Sequence, residues 1–191
     1  MSDKRLAWHF LAEGLKAYNG YQVEVGKVHV HEGKLEPCRS GLHASTRLID
    51  ALKYATGPII SFVECSGEFV DHGDPTDKFV CRKRRALWAF DASEQLFAFA
   101  RSCAQSVLHL WEAPQAVKDF LETGNSDLRS AAWSAAGSAA WSAAGGAAWS
   151  AARGAAESAA RSAAESAARS AYNQSLESLI LNEAVRRGLG A

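Results

Sequence analysis

The chain has 191 residues with 21 acidic and 21 basic side chains, so its formal net charge is zero. This balance argues against binding to nucleic acid or to an acidic membrane, because both attract proteins with an excess of basic residues. No uninterrupted apolar run is long enough to span a bilayer. A broken apolar pattern follows Lys4 and Arg5, so no secretory signal is predicted. We therefore expect a cytoplasmic protein without membrane partners.

The cysteines occur singly in apolar surroundings, without the C-x-x-C spacing of redox and zinc motifs. They are Cys38, Cys65, Cys81 and Cys103. This usage predicts free thiols in a reducing compartment.

A change of composition near Gly124 divides the chain. Residues 1–124 have the variety of a globular domain, whereas Ala and Ser dominate much of the remainder. We predict a globular α+β domain over residues 1–124 and an Ala-rich, coiled-coil-like helix over residues 125–191.

Alternating or short apolar stretches predict the strands of the first domain. Residues 6–20 are either a first strand leading to a turn or a short helix. The valine alternation within residues 21–33 predicts one or two strands, and further strands are predicted at residues 41–45, 58–65 and 78–82. Together these stretches predict a small mixed or antiparallel sheet.

Helix start and stop signals follow the strands. Residues 47–55 have one apolar face, a second helix follows residue 91, and a third begins at Pro114 and ends at Gly124. The candidate N-caps are Ser45 or Thr46 for the first helix and Asp91 or Ser93 for the second.

A four-residue repeat of small side chains runs from Ser130 to Ser170. Ala is the best helix former, so the repeat predicts a helix. Its fourth column supports this prediction, because basic and acidic residues alternate there at i,i+4 spacing. This column contains Arg153, Glu157, Arg161, Glu165 and Arg169.

Three tryptophans of the repeat, Trp133, Trp141 and Trp149, are spaced eight residues apart. On a straight helix each would be rotated by about 80° from the one before, so they cannot form one straight seam. We expect tight right-handed winding, or close-packed helices with the rings filling gaps at glycines. The alternatives are a lone low-complexity helix, a flexible linker and a stack of tight turns.

We predict that this tail self-associates, because its Ala faces and large rings need packing partners. The closing segment returns to ordinary amphipathic spacing, ends in a helix stop at Gly188 and is expected to join the interface. The predicted oligomerisation residues are Ala131, Ala132, Trp133, Ala139, Ala140, Trp141, Ala147, Ala148, Trp149, Arg153, Glu157, Arg161, Glu165, Arg169, Leu176, Leu179 and Ile180.

The order of these segments resembles a family of phage and prophage proteins, a domain of unknown function followed by an Ala-rich repeat tail. The resemblance covers nearly the whole chain. It implies a viral or mobile-element protein in a bacterial cytoplasm, and the family carries no assigned reaction. The residues that carry it are 41–45, 50–55, 67–68, 77–78 and 84–88 in the domain and 173–177 in the tail.

Part of the domain also resembles the core of ADP-ribosyltransferases. The resemblance rests on strand 41–45, a helix ending at Tyr54 and a following strand with acidic residues. It implies NAD chemistry at His43, Tyr54 and Glu64 or Glu68. Neither Glu64 nor Glu68 lies in the Glu-x-Glu or Gln-x-Glu turn of those enzymes.

Three further patterns have ordinary structural explanations. A tetrahedral zinc site could be built from four residues with suitable spacing, His29, His31, Cys38 and His43. Exposed histidines at a strand edge explain the same pattern without a metal. The acidic residues of segment 71–77 suggest a solvated turn. Basic residues 82–85 suggest a strand edge or a loop.

These patterns favour a non-enzymatic protein that self-assembles through its tail and presents the first domain to an unknown protein partner. We predict no metal and no cofactor. The alternative is an ADP-ribosyltransferase-like enzyme that uses NAD and is multimerised by the tail, with His43, Tyr54 and Glu68 as its catalytic residues.

Overall fold

The structure is a computed structural model that describes residues 4–106, 108–110, 112–132, 134–135 and 158–190. Of residues 110 and 158–169 it describes the backbone alone.

Contacts between Cα atoms divide the chain into two compact units. The first, called the N-terminal unit below, combines residues up to Leu96 with those from Asn173 onward. The second consists of the described residues between Phe97 and Tyr172. The domain boundary predicted at Gly124 falls inside this second unit, because composition follows the chain whereas compactness follows contacts.

An antiparallel sheet of five strands forms most of the N-terminal unit. The order is β1-β4-β5-β2, and β3 pairs with the edge of β5 that faces away from β4. The sheet therefore fits the predicted α+β class. The strands are β1 (Lys4–Leu11), β2 (Val28–Val30), β3 (Leu42–Ala44), β4 (Ile59–His72) and β5 (Lys78–Asp91).

Burial on both faces explains why the first segment was ambiguous in the sequence. Ala7 and Leu11 belong to the core on one side of β1, while Trp8 and Phe10 are also buried. A strand with two buried faces does not alternate between apolar and polar residues, and this alternation is the usual sequence signal for a strand.

Strand β5 continues through the basic cluster rather than ending at Arg82. Arg84 is buried, and the Arg85 guanidinium lies 3.2 Å from Glu64 on the neighbouring strand. The ladder to β4 continues to Asp91, so the basic residues belong to a central strand and not to a loop.

The described helices are α1 (Leu48–Leu52), α2 (Ser93–Ser106), α3 (Gln115–Thr123) and α4 (Ser158–Arg186). The backbone N–H of Ser93 donates to Asp91 at 2.8 Å, which confirms one predicted cap. Gly124 ends α3 in the left-handed conformation, with φ of 66°, as predicted. The N-cap position of α1 is Arg47, which makes no side-chain cap.

The predicted repeat helix is described in part. Residues 129–132 and 134–135 are helical, and α4 includes the backbones of Arg161, Glu165 and Arg169. Ala131 is exposed, whereas Ala132 is buried in a cluster with Ala113, Val117 and Leu121 of its own chain. The predictions that lie outside the described residues concern Trp133, Ala139, Ala140, Trp141, Ala147, Ala148, Trp149, Arg153 and Glu157.

The end of α4 belongs to the N-terminal unit. Leu176 and Ile180 have no exposed surface, and Leu179 is half-buried. The sequence predicted that these side chains contact a second chain, but the two buried ones are covered within their own chain. An amphipathic stripe indicates that a helix face is buried and does not indicate which surface buries it. None of the described helices combines the length and apolarity needed to cross a membrane.

Candidate functional site

A pocket of about 150 Å³ opens beside α1 in the N-terminal unit. It lies where the segment before α1 and α1 itself meet the β4–β5 turn and the start of β5. Its walls are Thr46, Arg47, Asp50, Thr76, Asp77, Lys78 and Phe79.

Asp77 is bonded by three side chains of the N-terminal unit. Tyr54 donates its hydroxyl to Oδ2 at 2.7 Å, and Lys53 Nζ lies 3.4 Å from the same oxygen. His72 Nδ1 lies 3.4 Å from Oδ1. Burial alone raises the pKa of Asp77, but the hydrogen bonds from Tyr54, His72 and Lys53 outweigh it and lower this pKa to about 2. Asp77 is therefore ionised at all physiological pH values.

Asp50 forms the second carboxylate of the pocket and is almost fully buried. Arg47 Nε and Lys53 Nζ each lie 3.7 Å from one of its oxygens. Lys53 therefore contacts both carboxylates and joins α1 to the β4–β5 turn. These contacts fix the position of α1 relative to Asp77.

Lys78 brings a positive charge into the pocket wall at a buried position, with 9% of its surface exposed. Its ammonium lies 3.8 Å from the centroid of the Tyr54 ring, a cation–π contact. Tyr54 in turn has its pKa raised, first by its hydrogen bond to Asp77. Within the described part of the chain, no carboxylate lies within 4.0 Å of the Lys78 ammonium.

The residues that line the pocket carry two positive charges, on Arg47 and Lys78, and two negative charges, on Asp50 and Asp77. Lys53 does not line the pocket, but it contacts both carboxylates and adds a third positive charge beside them. The hydroxyls of Thr46 and Thr76 add neutral hydrogen-bonding groups to the wall. This arrangement suits a small group with a single negative charge.

The three residues of the ADP-ribosyltransferase hypothesis have separate partners. His43 Nε2 accepts from the backbone N–H of Cys38 at 3.0 Å, and Glu68 lies 2.6 Å from Arg82. Burial, and then the charge of Lys78, lowers the pKa of His43. Only Tyr54 contacts the pocket residues directly, through Asp77 and Lys78.

The candidate zinc ligands also point to different partners. His29 Nδ1 lies 2.9 Å from the Tyr21 hydroxyl, and His31 Nε2 lies 2.9 Å from the Ser40 hydroxyl. His43 is bonded to the backbone of Cys38, as described above. Among the residues described, no group of three or more His, Cys, Asp or Glu side chains converges in a way that would hold a metal.

Arg84 is a buried charged residue of the sheet. Its guanidinium donates to the backbone carbonyl of His43, and in the register of β4 and β5 it lies opposite Cys65. Burial, followed by the charge of Arg84, holds the pKa of His9 well below its usual value. A hydrogen bond to Cys81, together with burial, raises the pKa of Cys65, which keeps this thiol protonated.

The sequence does not predict the pocket, because its acidic pattern places Asp77 in a solvated turn. The spacing of Asp71, Asp74 and Asp77 holds no recognisable motif, and two of the partners of Asp77 come from the distant residues 53 and 54. One signal was present, since Lys53, Tyr54, Asp77 and Lys78 all belong to segments on which the phage-family resemblance rests.

Comparison with known proteins identifies the domain and no activity. No curated protein and no solved structure matches the chain. One family matches, described as a domain of unknown function, and its match runs from β1 through the pocket into α2. Residues 5–98 are accordingly a DUF7666 domain.

Proposed function

We propose that the N-terminal domain is a non-enzymatic binding module whose pocket takes a small anionic group, a carboxylate or a phosphate, of its partner. The observation that carries this proposal is Lys78, a buried lysine in the pocket wall. In the same proposal, the Ala-rich tail joins copies of the chain so that several domains are presented together.

An anion at this position is favourable for a physical reason. A buried charge is costly unless it is paired and hydrogen-bonded, and Tyr54 compensates Lys78 through its ring and a side-chain hydrogen bond but not through an opposite charge. A ligand oxygen beside the ammonium would form a charge-assisted bond. Arg47 is a second cation in the same wall and is paired with Asp50.

The size of the pocket favours a small group over a dinucleotide. A cavity of about 150 Å³ holds one molecule of roughly the size of benzene, and the pocket has about this volume. A carboxylate side chain, a chain terminus or a phosphate fits this space, whereas NAD is several times larger. This argument, together with the separate partners of His43 and Glu68, favours the binding module over the ADP-ribosyltransferase alternative.

The proposed assembly depends on the repeat columns before the end of α4. Leu176 and Ile180 are covered within the chain, so we assign assembly to the alanines and the alternating charges that precede them. The mobile-element origin implied by the family resemblance remains part of the proposal.

Anion binding is tested by NMR titration of the full-length protein with acetate and with inorganic phosphate. We expect saturable shifts of the amides of residues 46–50 and 76–79, with binding lost in Lys78→Met. The matched control is Lys34→Met, because Lys34 is an exposed lysine away from the pocket. Equal binding in both variants, or no binding by the unmodified protein, contradicts the proposed site.

Assembly is tested separately by light scattering on the full chain. We expect a multimer whose mass falls when Arg161→Glu and Arg169→Glu are combined, because these changes place like charges at i,i+4 spacing along the column. A monomer at all concentrations would contradict the assembly part of the proposal.

A further inference from the structure

Helix α1 is short and has no capping side chain at its own N-cap position. It has five residues, and its N-cap position, Arg47, makes no side-chain cap. The first N–H groups of a helix have no partner within it, and so short a helix does not persist on its own. The donors that need partners here include the backbone N–H groups of Leu48 and Ile49.

Two side chains of α4 accept from these donors. Asn173 Oδ1 accepts from the N–H of Ile49 at 3.0 Å, and Glu177 Oε1 accepts from the N–H of Leu48 at 3.4 Å. Asn173 and Glu177 are four residues apart, so they project from one face of α4. The end of the chain thus provides the N-terminal cap of a helix that lies 124 residues earlier.

Several contacts hold this part of α4 in place within the N-terminal unit. Leu176, Ile180 and Ala184 are buried on the same helix. The Arg187 guanidinium lies 4.8 Å from the centroid of the Phe90 ring, and Phe90 belongs to β5. The caps are therefore presented by a docked helix and do not depend on two side chains alone.

The capped helix carries much of the charged pocket. Asp50 lies within α1, and Arg47 and Lys53 flank it directly. Tyr54 follows one residue later and bonds Asp77. A change in the direction or stability of α1 would displace the groups that surround Asp77 and Lys78.

We propose that Asn173 and Glu177 are positioning residues of the pocket, so that docking of the end of α4 and binding of an anion stabilise each other. Coupling between two sites is reciprocal. An anion in the pocket therefore strengthens the docking of residues 173–187, and a force or partner that pulls α4 away weakens the anion site. The repeat ends within α4, so in this proposal α4 couples the repeat region to the ligand site. The part of this proposal that concerns anion binding rests on the proposed function.

The test uses full-length Asn173→Ala and Glu177→Ala, alone and combined. Gln174→Ala and Ser178→Ala are the matched controls, because both residues are exposed on the same helix. Three quantities are measured in each protein: hydrogen exchange of the amides of Leu48 and Ile49, the NMR titration of the Asp77 carboxyl, and the dissociation constant for acetate.

We expect the combined variant to exchange both amides at least about tenfold faster, to titrate Asp77 at a higher pH, and to bind acetate about fivefold more weakly, which is a modest coupling. The controls should match the unmodified protein. Asn173→Asp and Glu177→Gln keep an accepting oxygen, so they should restore all three quantities.

The outcomes separate this proposal from the proposed function. If the unmodified protein does not bind acetate, the proposed function fails, and the Asp77 titration alone decides the coupling. If the amides exchange faster while Asp77 titrates as in the controls, Asn173 and Glu177 merely stabilise α1 and the coupling is refuted. Should the combined variant not fold, Glu177→Ala, which removes the longer bond, is compared with Glu177→Gln by the same criteria.

Discussion

The Tyr54 hydroxyl donates a 2.7 Å hydrogen bond to the Asp77 carboxylate and so joins the end of the α1 segment to the turn that precedes β5. These residues are 23 positions apart in the chain. The bond also places the Tyr54 ring under the Lys78 ammonium. Tyr54 thus brings the Asp77 carboxylate, the Lys78 ammonium and its own ring together beside the pocket.

Removing this hydroxyl tests the contact directly. In Tyr54→Phe we expect the pKa of Asp77 to rise from about 2 toward its ordinary value, because the hydroxyl bond is the strongest of the effects that lower it. Unfolding should become easier by about 1 kcal/mol, the net value of one hydrogen bond. Carboxyl NMR titration and urea unfolding measure the two effects. Tyr18→Phe is the control, since Tyr18 is highly exposed. An unchanged Asp77 titration would show that the hydroxyl bond is not formed in solution.

The depressed pKa of Asp77 predicts a dependence of stability on pH. An unfolded Asp titrates near pH 4, and folded Asp77 titrates at about 2. Its contribution is therefore complete above about pH 4 and is lost as pH falls toward 2. We expect the free energy of unfolding to decrease across this window, and less steeply in Asp77→Asn. Urea titrations at a series of pH values measure both slopes, and equal slopes would contradict the assignment.

The burial of Ile180 predicts which property changes when it is truncated. Ile180→Ala should lower the free energy of unfolding by about 2–5 kcal/mol, because it leaves a cavity in the packed interior. Leu181→Ala, at a more exposed neighbouring position, should cost much less. Thermal unfolding and light scattering are measured on both variants. A lower mass for Ile180→Ala with unchanged domain stability would instead support the sequence-based prediction that Ile180 contacts a second chain.

The four thiols should differ in reactivity. Cys38 is exposed, whereas Cys65 and Cys81 have no exposed surface. A hydrogen bond to Cys81, and then burial, also raises the pKa of Cys65, which suppresses the reactive thiolate. With a colorimetric disulfide reagent we expect rapid loss of Cys38 in the native protein and reaction of the two buried thiols only in denaturant. Cys38→Ser should abolish the fast phase. Rapid labelling of Cys65 in the native state would show that β4 opens.

Local signals were sufficient for several elements. The Asp91 cap of α2 and the Gly124 stop of α3 involve residues within a few positions of the helix that they end, so the sequence alone predicts them. The strands at residues 42–44 and 59–65 were predicted for the same reason. The length of β5 was not, because Arg84 and Arg85 suggest a strand edge or a loop until their positions beside β4 are known.

The pocket was not predictable in the same way. Asp77 has partners at residues 53, 54 and 72, and no single segment contains the pattern. The sequence indicates Tyr54 for another reason, a resemblance to ADP-ribosyltransferases. The other two residues of that hypothesis, His43 and Glu68, have partners elsewhere in the fold.

The sequence by itself determined the α+β character of the first domain, the ends of its longer helices and the helical bias of the repeat, because each depends on neighbours in the chain. Only the tertiary structure decided that Asn173 and Glu177 cap α1 and that Leu176 and Ile180 are buried in the N-terminal unit. An amphipathic helix specifies that one face must be covered, but the covering surface is assembled from strands and helices distant in the chain. Its identity therefore depends on the fold.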